Sequence, residues 1–463
     1  MCGVLGLVAK AEEAAEDIYA GLWSLQHRGK ESAGIATFNG SAYFVKRGMG
    51  TVEVVFGNDA LASLKGQSGI GHVRYSTTGG STIENAQPVE GNFRGGSFWI
   101  AHNGNLVRTE KIRKDCEEKG YIFKTATDTE IIAALIHYSE HNKFLEALKE
   151  ALSKVEGTYA LTVLYKNDVY GARDKSGNRP LSVGFGRGIL VFTSESSSCD
   201  VLAVQVLRDV YPGELVILRQ DPFCVQFDKI SNPPQVGFSC QKPCIFEYVY
   251  FLRPDSVFMN RRVQLVREEM GRRLWRESKV SADIVVAVPD SGNFAASGVA
   301  EESRLPLVSA LFRSHYVGRT FIEPLHERRE KGLRIKLNII PELVVGKRVV
   351  VVDDSIVRAT VIKRVIKMLR EAGAKEIHVR ISSPPYRYPC YYGIDTYKVG
   401  EKLVAARHEN DVEAIRKEIG ADSLAYLSMM SLKGAIAEAR EDGLGKNNFC
   451  DACFSGNYHI PIK

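Results

Sequence analysis

The sequence predicts two architectures in one chain: an α+β half of two stacked, mostly antiparallel sheets with helices outside, then an α/β half built on a parallel sheet. Three observations carry that expectation. The first half holds many short segments of alternating polarity and few helical patterns, as packed antiparallel sheets do. From about Ile284 the pattern changes to repeating strand, loop and helix, the form a parallel sheet requires. The third is Arg348–Val361, RVVVVDDSIVRATV, which opens on four consecutive valines, a run suited to a strand covered on both faces. At 463 residues the chain exceeds what one core serves, and the change of pattern divides it into 1–235 and 236–463.

Composition narrows the function classes. The chain is 44% hydrophobic and 25% charged, and no apolar run approaches the roughly 20 residues that cross a bilayer, so no membrane role is expected. The start MCGVLGLVAKAEEA lacks the basic opening and sustained apolar core of a secretory signal. Lys and Arg number 61 against 55 Asp and Glu, a net charge of +6 that suits anionic small molecules. No basic-aromatic pattern of a nucleic-acid reader is present. Nine cysteines without a signal point to a reducing, cytoplasmic compartment and to thiolate chemistry.

In the first half, strands are expected at Ser41–Lys46, Gly69–Val73, Ser97–His102, Ala160–Tyr165, Asp168–Ala172 and Leu190–Thr193. Helices are expected at Ala14–Gln26, Lys111–Lys119, Thr129–His137 and Asn142–Val155. Polar clusters sit at the strand ends: LQHRGKESAGI from Leu25, GHVRYSTTG from Gly71, AHNGNL from Ala101 and TDTE from Thr127. The chain begins Met1-Cys2-Gly3. Removing Met1 would set a free α-amine, ordinarily titrating near about 7.7–8.0, beside the Cys2 thiol as its base. Taken alone, a cysteine at position two is more often inert. Taken together, Cys-Gly-Val, QHRGKESAGI, HVRYSTTG, AHNGN and DTE resemble the N-terminal-nucleophile glutaminase domain of glutamine amidotransferases. The resemblance implies that Cys2 attacks the glutamine amide and that Asn103 and Gly104 form the oxyanion hole. It also implies glutamine-binding roles for Arg74 at the carboxylate, Asp128 at the α-ammonium, and Arg28 in the loop packed against Cys2. The later segments ARDKSGNRPL, TSES and RDVYPGEL continue the pattern and are expected to shape the domain.

In the second half, strands are expected at Ile284–Val288, Leu307–Leu311, Arg348–Val352 and Glu376–Ser382, with helices at Phe294–Glu302, Val361–Ala372, Ala405–Gly420 and Ser423–Arg440. Asp353 and Asp354 fall at the carboxyl end of the central strand, where open α/β sheets bind ligands, just ahead of a loop and helix start whose amides can hold phosphate. Read alone, the pair suits a solvated strand end better than a site. However, VVVDDSIVRATV, with VPDSG upstream and SHYVGRTFI between, resembles the type I phosphoribosyltransferase fold. A glutaminase domain followed by that fold resembles one family across essentially the whole chain, the glutamine phosphoribosylpyrophosphate amidotransferases, which open purine synthesis. There is no sugar-isomerase domain and no SGGxDS loop to suggest its neighbours. The resemblance implies glutamine and phosphoribosylpyrophosphate as substrates. Asp353 and Asp354 would meet the ribose hydroxyls and Mg2+, with Ser291 near the metal and pyrophosphate. Ser355, Arg358, Ala359 and Thr360 would wrap the 5′-phosphate, and Tyr316 and Arg319 would close over the substrate and help form an ammonia channel. Purine nucleotides as inhibitors and assembly as a dimer or tetramer are implied in the same way.

Spacing alone would join Cys450 and Cys453 to Cys240 and Cys244 as a zinc site. The family pattern instead picks Cys244, at the head of CIFEYVYFLRPDS, and Cys390, in YPCYYGID, with Cys450 and Cys453 as ligands of a 4Fe-4S cluster. Thiolate-only ligation permits either metal. Cys116, Cys199 and Cys224 are expected to be packing residues. Departures from the family cluster at the phosphate side. Ala359 and Val361 stand where glycine and threonine are usual, and Arg313-Ser314-His315 where Lys-Asn-Arg is usual. In the glutaminase half Lys30 replaces a glutamine. If the phosphate loop needs a positive φ, Ala359 costs about 1–2 kcal/mol. These changes leave open a paralogue with altered transferase activity, or a nucleotide-sensing protein on the same scaffold.

Overall fold

The computed structural model describes residues 1–57, 60–75, 79–230, 241–314, 337–397, 403–437 and 448–462. Two antiparallel sheets stack in the first half. One has seven strands in the order Gln205–Asp209, Ser182–Gly186, Ile189–Thr193, Gly3–Ala9, Ser68–Arg74, Ser32–Phe38 and Tyr43–Met49. The other has six, in the order Cys224–Lys229, Glu214–Arg219, Asp168–Arg173, Glu156–Tyr165, Gly96–Val107 and Val89–Phe93. Their facing side chains, among them Val4, Val8, Ile70, Trp99, Ala160 and Phe192, make the middle layer. The helix Ala14–Ser24 covers the outer face of the first sheet, packing Ile18 and Leu22 with Leu5 and Leu7. The helices Thr129–His137 and Phe144–Lys154 cover the second sheet. Strands buried on both faces explain why Gly3–Ala9 and Ser32–Phe38 read as apolar or small throughout.

A four-stranded parallel sheet carries the second half, ordered Ile284–Ala287, Arg348–Asp353, Glu376–Ile381 and Ser423–Tyr426. Val349 to Val352 are 0% exposed at its centre, as the valine run predicts. Three sequence expectations fail here. Residues Ser423–Tyr426, expected as the head of a long helix, form the fourth strand, and the helix spans Met429–Ala437. Pairing with His378–Ile381 in the sheet outweighs the helical periodicity of SLAY. The helix expected over Ala405–Gly420 is two, Val404–Arg407 and Val412–Ile419, because Glu409 and Asn410 take positive φ of 49° and 67° between them. The expected strand Leu307–Leu311 is reduced to a single bridge, Leu307 with Val285, before the strand Leu311–Arg313. The halves meet directly: Thr158 Oγ1 donates to the Tyr392 carbonyl at 2.8 Å and Asn105 Nδ2 to the Tyr391 carbonyl at 3.1 Å. The 235/236 boundary lies outside the described residues.

Candidate active sites

The nucleophile candidate precedes the first strand and is fixed from behind. The Cys2 carbonyl accepts from Arg28 Nε at 2.8 Å, and the next strand residue but one, Val4, donates its N–H to Ser194 Oγ at 2.9 Å. Cys2 Sγ donates to the Tyr75 carbonyl at 3.4 Å. Burial pushes the thiol up, while the chain's amine, the Tyr75 amide and Arg74 oppose that shift. A small cavity opens on Sγ, lined by Cys2, Arg74, Tyr75, Gln87, His102, Gly104, Thr127 and Asp128. Four residues named from the motifs are therefore brought together: Cys2, Arg74, Gly104 and Asp128. Next to Gly104, Asn103 is 1% exposed, and neither its Nδ2 nor its Oδ1 has a hydrogen-bond partner. An orphaned buried amide is costly, and this one lies in the chain between His102 and Gly104, both of which line the cavity. Gly104 has no room for a side chain, because a Cβ would lie 2.0 Å from the Thr158 carbonyl oxygen. Asp128 Oδ2 accepts from the Leu106 amide at 2.7 Å. Against the burial that would raise it, His102 and that amide hold the Asp128 carboxyl below its ordinary value.

Arg28 does not line the cavity. It is fully buried behind Cys2, donating to Glu195 Oε1 at 2.6 Å and to Glu247 Oε1 at 3.0 Å, so it is placed to hold the nucleophile's backbone rather than glutamine. Gln87 is the wall residue sequence reasoning missed. Its Oε1 accepts from the His102 amide at 2.7 Å and its Nε2 donates to Thr129 Oγ1 at 3.1 Å. It belongs to none of the motif clusters, and a polar residue before Pro88 was the only signal.

The second candidate site sits at the carboxyl end of the central parallel strand. Asp353 and Asp354 are nearly buried, at 6% and 5% exposed. Desolvation raises both carboxyls; the charge of Asp354 raises Asp353 further, while a hydrogen bond from Asp353 opposes the rise at Asp354. Asp354 accepts hydrogen bonds from Ser355 Oγ at 2.5 Å and from Ser291, and it faces the charge of Arg267. Gly292 lets the PDSG loop lie on the central strand, since a Cβ there would meet the Val352 carbonyl oxygen at 2.5 Å. Ala359 caps the helix Thr360–Glu371 in the left-handed region, at φ 63° and ψ 1°. This is the conformation the departure from glycine makes costly. Arg358 and Thr360 are exposed on the same loop, and Val361 is 48% exposed. Tyr316 and Arg319 lie outside the described residues. The Tyr250 hydroxyl, pushed up to about 12 by desolvation and then by Asp354 and Asp353, also interacts with Tyr75 at the thiol cavity.

Comparison with known proteins places the whole chain in one family. A family model described as a glutamine amidotransferase domain matches residues 72–200. The amidophosphoribosyltransferase of Archaeoglobus fulgidus is 45% identical over 100% of this chain and 98% of its own. That of Bacillus subtilis is 43% identical over 100% and 94%. The solved glutamine phosphoribosylpyrophosphate amidotransferase from Bacillus subtilis, complexed with ADP and GMP, superposes with a TM-score of 0.91 at 42% identity, over 100% of this chain and 98% of that one. The chain belongs to the amidophosphoribosyltransferase family. It is a glutamine-dependent transferase of de novo purine synthesis, built as an N-terminal-nucleophile glutaminase fold joined to a phosphoribosyltransferase fold.

Within this amidophosphoribosyltransferase the four candidate cysteine ligands are free and buried on neighbouring segments. Cys244 and Cys450 share a parallel bridge, Ile245 N–H donating to the Cys450 carbonyl at 3.1 Å. The Cys453 carbonyl accepts from the amides of Arg387 and Tyr388 at 2.9 and 3.0 Å, and Cys390 Sγ from the Tyr392 amide at 3.3 Å. Burial raises the Cys244 thiol to about 11 and pushes Cys450 and Cys453 up as well, and Cys453 feels all three of the others. Among the described residues no three His, Cys, Asp or Glu side chains are gathered as a single metal ion would need. Cys240 lies outside the described residues. Cys116 and Cys199 are packed as expected, but Cys224 is exposed, because it opens an edge strand.

Proposed function

We infer that Cys2 hydrolyses glutamine and that the ammonia released passes to 5-phosphoribosyl-1-pyrophosphate at Asp353 and Asp354, giving 5-phosphoribosylamine, glutamate and pyrophosphate. The unpartnered amide of buried Asn103, beside a cavity shared by Cys2, Gly104, Arg74 and Asp128, carries the glutaminase half of this reading. Arg74 offers a guanidinium to the glutamine carboxylate and Asp128 a carboxylate to its ammonium. The Cys2 sulfur attacks the side-chain carbonyl, and Asn103 Nδ2 with the Gly104 amide stabilise the oxyanion. Ammonia leaves as the thioester forms, and water then releases glutamate. The chain's amine serves as base once Met1 is removed. The α-amine of Met1, a different group at the same buried end of the chain, is lowered to about 5 by burial.

On the transferase side, two adjacent buried carboxyls that desolvation makes costly to ionise fit a divalent cation, and Mg2+ suits their oxygen donors together with Ser291. When bound, the ion offsets the charge of pyrophosphate. Ser355, Arg358, Ala359 and Thr360 then supply hydroxyl, guanidinium and helix-terminal amides to the 5′-phosphate. The Tyr250 hydroxyl, which interacts with Tyr75 and with both acids, supports a path for ammonia, with Tyr316 and Arg319 proposed as the residues that cover it. The four cysteines fit a 4Fe-4S cluster better than zinc. Thiolates on one zinc ion stand about 3.8 Å apart at Zn–S bonds of about 2.3 Å, whereas these thiols interact without converging on one ion. The cluster would supply a structural cross-link. Purine-nucleotide inhibition, a dimeric or tetrameric assembly and a cytoplasmic location complete the reading.

Glutamine turnover with and without phosphoribosylpyrophosphate, and pyrophosphate release with free ammonia, test it. Cys2→Ala is expected to abolish glutamine use and spare ammonia use, and Asp354→Asn to abolish pyrophosphate release from either donor. Pyrophosphate release that ignores Asp354→Asn would sink the assignment. Iron analysis of anaerobically purified protein decides the cluster, and colourless, zinc-loaded protein removes it.

A further inference from the structure

The segment Cys244–Ser256, CIFEYVYFLRPDS, carries the first thiol and Tyr250, and it also supplies one carboxylate that grips Arg28, Glu247, and fixes the other, Glu195. Glu247 is 0% exposed and takes two hydrogen bonds from Arg28, Nη2 to Oε1 at 3.0 Å and Nη1 to Oε2 at 3.2 Å. Glu195, the other partner, is itself held by the Arg253 amide and the Ser256 hydroxyl, each at 2.8 Å from Oε2. Arg28 spends its remaining Nε donor on the Cys2 carbonyl. The nucleophile's position is therefore set by a salt-bridge pair buried on the side away from glutamine.

The pair extends further. Arg179 Nη1 stands 3.6 Å from Glu247 Oε1, and Arg179 is wholly buried. Its Nε donates to the Tyr392 carbonyl at 2.9 Å, but Nη1 makes no hydrogen bond. Its chain neighbour Asn178 accepts the Cys244 amide at 3.0 Å on its carbonyl, and the Arg179 guanidinium interacts with Cys244, Cys390 and Cys450. A continuous buried line thus runs from the thiols through Arg179, Glu247 and Arg28 to Cys2. The chain's amine responds to the same three side chains. Buried charges in a dry environment act on one another far more strongly than surface pairs, so a change at one end is felt at the other.

We propose that Glu247 is a positioning residue for the glutaminase nucleophile, and that Arg179 makes its hold on Arg28 depend on whether the four-cysteine site is filled. A filled site, with ligating thiolates, draws the free Nη1 of Arg179 toward sulfur. An empty one leaves Arg179 to Glu247 alone, which loosens Glu247 from Arg28. Neither residue touches glutamine, so kcat rather than KM is affected. The inference rests on the glutaminase reading of Cys2.

The test uses the full chain and labelling of Cys2 by a diazoketone analogue of glutamine, followed by intact mass. Glu247→Gln is expected to slow labelling at least tenfold and to lower the glutamine-dependent kcat at least tenfold. KM should stay within about threefold and the ammonia-dependent rate within about twofold of wild type. Glu247→Asp, which keeps the charge, should recover part of the labelling rate. Stripping metal from wild type with a chelator should slow labelling at least fivefold, and in Arg179→Gln it should change little. Labelling in Glu247→Gln within twofold of wild type overturns the proposal, and so does a wild-type rate indifferent to stripping. A loss of ammonia-dependent activity in Glu247→Gln signals misfolding, and Glu247→Asp then decides, overturning the proposal if it labels at the wild-type rate. A wild-type chain that takes no label at Cys2 removes the glutaminase reading instead.

Discussion

At the scale of single residues, two side chains decide how the sites work. Asn103 keeps a buried amide without partners, a cost that, on the proposed glutaminase reading, an oxyanion formed against it would recover. Asn103→Ala is therefore expected to lower glutamine-dependent turnover by about 10²–10³-fold and to leave ammonia-dependent pyrophosphate release within about twofold. Steady-state rates with the two nitrogen donors check this, and equal losses with both would contradict it. Ala359 is the opposite case, a residue that resists its own backbone. It holds φ 63° while burying its methyl at 4% exposure. Ala359→Gly relieves strain of about 1–2 kcal/mol but gives up about 0.8 kcal/mol of methyl burial and some unfolded-state entropy. Little net change in Tm is expected. The visible effect should be a several-fold lower KM for phosphoribosylpyrophosphate, because the amides can approach the phosphate more closely. An unchanged or raised KM would show that the alanine is not what limits the loop.

At the scale of elements, what the sequence made legible was whatever local periodicity controls. Thr129–His137 is a helix over the expected residues, and the valine strand is central, because each buries a face its own pattern defines. Ser423–Tyr426 escaped because a four-residue strand is specified by its partner across the sheet. Arg28 was found but assigned to glutamine, since its motif gives proximity to Cys2 and not the direction of its guanidinium, which Glu195 and Glu247 set from far along the chain. Gln87 was missed for the same reason, its role being fixed by His102 and Thr129. The strand Ser68–Arg74 also carries a pH dependence. His72 is 0% exposed, its Nε2 3.1 Å from the carbonyl of the cavity-wall residue His102, and burial lowers its pKa to about 3. The unfolded chain takes up a proton on it below about 6.5 while the folded chain does not. Its contribution to stability is thus complete above about pH 6.5 and falls as pH drops toward 3. At pH 5 the loss is about 2 kcal/mol, from about 1.36 kcal/mol per pH unit. His72→Gln, which keeps a donor for the carbonyl, is expected to flatten the fall of Tm between pH 7 and 5, and an unaltered slope would refute the assignment.

At the scale of the whole molecule, the cysteines act where the halves join. Cys390 leads directly into Tyr391 and Tyr392, whose carbonyls take hydrogen bonds from Asn105, Thr158 and Arg179 on the first half. Cys450 fastens the C-terminal segment to Ile245, and Met1 packs in the same core as Cys244, Cys390 and Phe454. A group held by these thiols would close the loops between positions 244, 390 and 450 and bind only the folded chain, so its binding free energy is folding free energy. Because the contacts it supports belong to both halves, the loss should not be confined to the tail. Cys390→Ser is expected to lower Tm by at least about 5 °C, at about 2–4 °C per kcal/mol for a domain of ordinary size, and to weaken glutaminase and transferase activities together. Differential scanning calorimetry with both assays distinguishes the outcomes. A lowered transition that leaves glutamine hydrolysis intact would place the cysteine site in the second half alone. An unchanged Tm would mean that the thiols hold nothing that stabilises the fold.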